Sequence, residues 1–562
     1  MPRSLPHILF VLSAALSMPA GAQILLAGGT LPVCTSMAPT ECLESLVRDE
    51  QALTGHRFRI DRAGIARWRA SVAAGPDSAS LQAWASLLEQ LAASAPEALS
   101  RAELTQRIRD YRDPNGSFSG DELYQAADDR SWWQLLDHFQ EPLGDRIEQV
   151  ALENSRNPAA LEIFRHFVAM AAAVSTQQRP RIAVSTASSR DPYDALAFYV
   201  QVFEQAGAEV VWLPLDRALV AARAQGRCEA LGTYQAELLG SWERRRVHSA
   251  AFAHQQAFCI DPERGLNLID GIDGLFLNGG DQWLTLHAFL DPQGGHSAEL
   301  RRLHERLQAG ELVLGGTSAG AAVQSGPVMI SNGGSIRALL SGAHEGPPPA
   351  PGCDRSGSCP PGLPVDALTF HRGGLGSFAP GIVDTHFSER WRQFRLLQLL
   401  AETGIRLGLG VDETSAVEVS GLFDDTHPRL RAIGASGGWL IDLDGADRRQ
   451  ALPLRLDGAR LYQIGPGAQL KLEPAHIDPD VGDKTPSAIA SGADCVDTQT
   501  YRSFAALAAD RLPDAGHDPV CVRFDLDDET VASSRFEAVA AGKSAQGAVR
   551  AWRWSLELVA RP

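Results

Sequence analysis

Residues Leu312 to Gly320 read L-V-L-G-G-T-S-A-G, an apolar run of strand character that breaks directly into G-x-S-x-G. Small residues at Gly316 and Gly320 leave room for a strand to turn sharply into a helix, so the pattern predicts an α/β fold with Ser318 held clear of a sheet's C-terminal edge. The helix that follows aims unpaired backbone N–H groups at the same place, where the tetrahedral intermediate of acyl transfer needs them. Ser318 is therefore the candidate nucleophile. A plain strand-to-helix turn is the alternative reading in a chain with 52 glycines.

Other segments fit the same architecture. Ile24 to Ala27 followed by Gly28-Gly29 reads as a buried first strand, without the G-x-G-x-x-G of a dinucleotide site. From about Ala38 to Val174 the apolar spacing is helical, as in Ser80 to Ala93 and Asn157 to Val174. Within this block Asp113 to Ser117 resembles the start of a calcium loop, but Phe118 stands at the glycine position and Tyr124 at the bidentate-glutamate position, so it reads as a turn. A strand at Ile182 to Val184, a helix from about Pro192 to Gln205 and a strand at Glu209 to Leu213 imply a parallel pair. Strands at Gly274 to Leu277 and Glu311 to Leu314 end in glycine-rich turns, the kind of strand end at which ligands collect. Residues 344–364 form a proline- and glycine-rich loop. After about residue 476 the spacing is irregular, and Ala551 to Val559 is a strand-prone end of an appended module.

The boundaries expected are 1–22 for a leader, 23–37 for the first strand of the catalytic domain, 38–176 for a helical insertion, 177–475 for the catalytic α/β domain and 476–562 for a C-terminal extension. The leader rests on Arg3, the apolar stretch Ile8 to Leu16 and the small-residue site Ala20-Gly21-Ala22, which together describe a secretory signal peptide. An exported protein, periplasmic or extracellular, is expected. Its eight cysteines are then read as disulfides, and proximity pairs Cys34 with Cys42, Cys228 with Cys259, Cys353 with Cys359 and Cys495 with Cys521. No C-x-x-C occurs, and no metal or organic cofactor is expected. The apolar stretch is too short to span a bilayer, and a net charge of −17 disfavours nucleic acid and anionic membranes as partners.

A serine needs a base, usually histidine, and a carboxylate to orient that base. His386 ends the strand-like Gly381 to His386, where Asp384 shares its face by the period of two; His371 is the nearest rival. Leu407 to Val411 is another buried-strand pattern and ends in Asp412-Glu413. Ser388 reads as the N-cap of a helix that turns Trp391 and Phe394 inward and carries Arg390, Arg392 and Arg395. Arginine forks bind carboxylates, which makes the cluster a candidate for an acidic substrate group, against the alternative of a solvated helix face.

Leu277-Asn278-Gly279-Gly280-Asp281-Gln282, Gly316 to Ala321, Asp384 to Arg390 and Gly410 to Thr414 resemble the motifs of the cyanophycinases, in family order. The resemblance covers roughly residues 24–35 and 180–475. It implies a three-layer α/β sandwich with a mostly parallel central sheet, like that of class I glutamine amidotransferases, and weakly a homodimer. It also implies a Ser318 nucleophile, a His386 base, Gly280 and Ala319 N–H groups as oxyanion donors, and a substrate pocket of Gln282, Asp384, Thr385, Arg390, Arg392 and Arg395. The activity implied is hydrolysis of cyanophycin, a polyaspartate bearing arginine on its side chains, to β-aspartyl-arginine dipeptides. Thr385 departs from the family's usual glutamine, which keeps other aspartyl or isoaspartyl peptides open as substrates. A non-catalytic binding protein on the same scaffold is the reading from another class. For the acid, Glu413 is chosen over Asp412, Glu345, Asp354 and Asp366, because its place after a central strand sets it on the same sheet edge as Ser318.

Overall fold

The computed structural model describes residues 23–44, 56–72, 78–94, 97–114, 116–142, 148–423, 427–472, 495–512, 519–527, 530–539, 543–544 and 547–560. The leader at 1–22 lies outside them. The architecture is mixed α/β, with two large sheets and helices packed against them.

The first sheet has eight strands, in the order Gln469–Lys471, Arg429–Gly434, Ser415–Ser420, Gln23–Ala27, Val313–Thr317, Gly274–Leu277, Arg181–Ser185 and Glu209–Trp212. The five from Gln23–Ala27 onward are mutually parallel, and the first three continue it antiparallel. Parallel strands need both faces covered, which is why Ile24 to Ala27, Gly274–Leu277 and Val313–Thr317 are buried throughout. The second sheet begins with the parallel pair Gly381–Thr385 and Leu407–Val411 and continues antiparallel through Gly438–Asp442 and Leu454–Ile464. The strand Gly547–Ala560 pairs with Leu454–Ile464, so the C-terminal residues extend this sheet rather than standing apart from it.

The helical block divides in two. Helices from Arg62–Val72 to Asp129–Phe139 enclose a core of their own around Trp68, Trp84, Trp132 and Leu136. Pro158–Val174 instead lies on the first sheet, its Phe164 and Phe167 rings against Phe203 and Phe276. Sequence periodicity finds both kinds of helix but not which core each one faces.

All four disulfides join the cysteines paired by proximity. Among the described residues no helix is long and apolar enough to cross a membrane. Two local expectations are corrected. The helix expected from Pro192 starts at Leu196, after a turn that keeps Asp191 and Asp194 off the helix. Ser388 is not an N-cap: residues 388–392 form a tight turn with Trp391 at φ 52°, and the helix runs over Gln393–Thr403. Trp391 packs on Phe504 and Phe524, so local capping yields to burial of the indole.

Candidate active site

The Val313–Thr317 strand turns into a short helix, Ala319–Ala322, through Ser318 at φ 52° and ψ −115°. Such a backbone is costly for a residue with a side chain and persists only where the surroundings fix it. They do: a Cβ on Gly316 would lie 2.2 Å from the Gly320 carbonyl oxygen, and one on Gly320 would lie 2.2 Å from that of Leu277.

The end of the first strand gathers the remaining segments. The Ala27 carbonyl accepts from Ser318 N at 2.9 Å, that of Gly28 accepts from His386 N at 2.8 Å, and that of Gly29 accepts from Thr414 N at 3.0 Å. Three consecutive carbonyls thus hold the three segments that carry the serine, the histidine and the carboxylate. Gly29 also makes room for the ring, since a Cβ there would sit 2.3 Å from His386 Cε1.

The side chains form a continuous relay. Ser318 Oγ is 2.8 Å from His386 Nε2, and His386 Nδ1 is 2.6 Å from Glu413 Oε1. His386 stands one residue past its strand at φ 48°, so the period of two does not govern its direction and it does not work with Asp384. Burial pushes the His386 imidazole below its ordinary value; Arg390 and Arg392 push the same way, and the Glu413 hydrogen bond and charge oppose them. A base of this kind is neutral near pH 7 and ready to accept a proton.

The other candidate acids are engaged elsewhere. Glu345 pairs with Arg372 and Asp366 with Arg337, and Asp354 lies in the one-turn helix Cys353–Ser356. Asp412 is fully buried and accepts from Ser388 N and Trp439 Nε1, both at 2.9 Å. Burial and the nearby Glu389 push its carboxyl up to about 7. Glu413 follows Leu407–Val411 of the second sheet and precedes Ser415–Ser420 of the first, whose Ala416 pairs with Ala27 opposite Thr317, so it lies at the same edge of the first sheet as Ser318, where the two sheets meet. His371 binds the Gly373 carbonyl and stays outside the relay.

The glycine turn faces the serine. A Cβ on Gly279 would be 3.4 Å from Ser318 Cβ, and the turn is pinned from behind, with Asp281 N donating to the Ser188 carbonyl at 2.8 Å and Ser188 Oγ to Asn278 Oδ1 at 2.7 Å. The Gly280 and Ala319 N–H groups carry no hydrogen bond among the described residues. Ser188 is a supporting residue that no sequence motif announces, because its role is set by a strand end 90 positions away.

The pocket residues expected from the sequence fall into two groups. Arg395 is buried and spends its fork on Asp384, at 2.8 and 2.5 Å, with a further bond to the Gly333 carbonyl. Burial alone would raise the Asp384 carboxyl, yet Arg395 holds it below the ordinary range. Arg392 donates to the Thr385 carbonyl, and burial together with Arg395 lowers its guanidinium to about 9. Gln282 donates to the Ile330 carbonyl at 2.8 Å, and Thr385 is buried. Arg390 is exposed and has no side-chain partner among the described residues.

The fold and site define a mixed α/β protein in which a hydroxyl, an imidazole and a carboxylate are aligned at the meeting point of two sheets. No family model matches the chain. By sequence the chain is cyanophycinase-like, a relative of the cyanophycinases. It is 29% identical to the cyanophycinase of Trichormus variabilis over 252 residues, which is 45% of this chain and 60% of that protein. It is 34% identical to the cyanophycinase of Geminocystis herdmanii over 200 residues, 35% of this chain and 62% of that protein, and 33% identical to that of Synechococcus elongatus over 182 residues, 32% of this chain and 45% of that protein. The chain thus spans 45 to 62% of the length of these curated relatives. A solved peptidase from an acI-B1 actinobacterium aligns over 57% of this chain and 92% of its own, with 15% identity and a TM-score of 0.32.

Proposed function

We propose that the protein is an exported serine peptidase that hydrolyses cyanophycin to β-aspartyl-arginine dipeptides. The observation that carries this reading is the unbroken relay from Ser318 through His386 to Glu413. His386 Nε2 takes the proton of Ser318 Oγ as the oxygen attacks the scissile carbonyl. The Gly280 and Ala319 N–H groups stabilise the oxyanion, each worth about 3 kcal/mol in hydrolases of this type. The imidazolium then protonates the leaving amide nitrogen, and water, activated by the same ring, releases the acyl group from Ser318. Glu413 keeps Nδ1 protonated and the ring aligned throughout.

Arg390 takes a substrate carboxylate, while Arg392, Arg395 and Asp384 shape the pocket wall behind it and Gln282 and Thr385 complete it. The catalytic unit is a three-layer sandwich of the glutamine-amidotransferase type over residues 23–37 and 177–475. Residues 38–176 are an insertion whose last helix, Pro158–Val174, packs on the first sheet, 476–562 a C-terminal extension whose strand Gly547–Ala560 joins the second, and the leader at 1–22 directs export, with which the four disulfides agree.

Thr385 favours a second reading, a peptidase for other aspartyl or isoaspartyl peptides, because a short hydroxyl replaces a longer amide at the pocket. Mass spectrometry of the products from purified cyanophycin tests the choice. β-Aspartyl-arginine is the expected product. Intact polymer together with turnover of short aspartyl peptides would give the second reading, and no turnover of either would leave a binding protein.

A further inference from the structure

The loop that pins the glycine turn through Ser188 also carries Asp191 and Asp194, which lie beneath His248, the residue just before the helix Ser249–Ile260. The His248 side chain is 7% exposed, and its Nε2 has no hydrogen-bond partner among the described residues. That nitrogen faces two carboxylate oxygens, Asp194 Oδ1 at 3.5 Å and Asp191 Oδ2 at 3.7 Å. From the helical block, His56 Nε2 approaches the same Asp194 oxygen at 3.3 Å, while its Nδ1 is hydrogen-bonded to Gln140.

Charged hydrogen bonds between nitrogen and oxygen are about 2.7–2.9 Å long, shorter than any of these separations. The 3.5 Å between His248 Nε2 and Asp194 Oδ1 instead matches an edge of a coordination tetrahedron, because two ligands each about 2.0–2.2 Å from one zinc ion stand roughly 3.3–3.6 Å apart, and the Asp191 oxygen at 3.7 Å lies just beyond that range. Donor atoms of Asp191, Asp194 and His248 all lie within 4.8 Å of one another.

The surrounding charge favours a cation. Asp137, Asp191 and Asp194 face two guanidiniums: Arg190 is 2.8 Å from Asp137, and Arg244 is 3.2 Å from Asp137 and bonded to the same Asp191 Oδ2 that faces His248. With neutral imidazoles this leaves one uncompensated negative charge. The Asp194 side chain, 36% exposed, opens the group to solvent. Imidazole nitrogens combined with carboxylate oxygens suit zinc and its neighbours better than calcium or magnesium, which prefer all-oxygen shells.

We propose that Asp191, Asp194 and His248 bind one divalent transition-metal ion of the zinc class, with water completing its shell, and that this ion ties the start of the helix Ser249–Ile260 to the loop supporting the glycine turn. No compact motif announces the site, because its donors come from two segments more than 50 positions apart. It is independent of the relay and of the substrate.

The untagged protein, stripped with a chelator, is titrated with zinc chloride by calorimetry and with cobalt chloride by visible absorption. The site predicts one ion per chain, the strong visible bands of four-coordinate cobalt, and at least tenfold weaker binding in His248→Ala and Asp194→Asn. Asp194→Asn keeps the shape of a half-exposed side chain and so tests the site even where His248→Ala fails to fold. No binding by the wild-type chain, or binding whose affinity and cobalt spectrum are the same in Asp194→Asn, overturns the proposal.

Discussion

His386 Nδ1 meets Glu413 Oε1 at 2.6 Å, a contact that joins the ends of two neighbouring strands 27 positions apart in the chain. A carboxylate at this nitrogen fixes the tautomer that leaves Nε2 free to accept from Ser318. Glu413→Gln keeps the size and loses that preference. Steady-state kinetics on the preferred aspartyl substrate should show kcat lower by roughly 10²–10⁴-fold with KM little changed. Retained kcat would move the orienting role to another group.

Because burial and two arginines push the His386 imidazole down, its neutral form persists below the ordinary histidine range. The rate requires that neutral form, so kcat/KM should rise with pH through an apparent pKa below 6.5 and then level off. Removing Arg390 takes away a positive charge that depresses this pKa. The ascending limb of the Arg390→Ala profile should therefore move to higher pH.

Gly29 stands at φ 112° with no room for a Cβ beside the His386 ring. Gly29→Ala should displace the imidazole from Ser318 and lower kcat at least 100-fold, an effect of the size expected when a reacting group is misplaced by about 1 Å. Circular dichroism should show the fold kept. Full activity in this variant would mean that the ring is not held against the first strand during the reaction.

The neighbouring arginines should separate into two behaviours. Arg395→Met leaves buried Asp384 with only Arg392, 3.6 Å away, as a counter-charge and without its two short hydrogen bonds, and should lower the melting temperature clearly. Arg390→Ala removes an exposed group without a partner and should leave stability within about 0.5 kcal/mol of wild type while raising KM for acidic substrates. Thermal melts read beside Michaelis constants distinguish the two.

The strand-turn-helix at Ser318 is legible in the sequence because its requirement is local: a buried run, two small residues and a tight turn. The strands leading to His386 and Glu413 are legible for the same reason. Their assignment to sheets is not, since a buried-strand pattern carries no record of its neighbours, and Glu413 sits in the turn between a strand of the second sheet and one of the first. The turn at 388–392 was hidden by the long-range burial of Trp391. Arg395 and Asp384 read alike as pocket groups or as partners, and only the fold brings them together. The three carbonyls of Ala27, Gly28 and Gly29 leave no trace in residue type, because backbone oxygen is common to every position.

Ser318 is the residue on which the proposed acyl transfer depends. Ser318→Ala removes one oxygen and leaves His386 and Glu413 in place, so release of β-aspartyl-arginine from purified cyanophycin is the measurement to make. The expected result is a rate at least 1,000-fold below wild type, from a variant with an unchanged melting temperature. Release at the wild-type rate would contradict the nucleophile and the acyl-enzyme built on it.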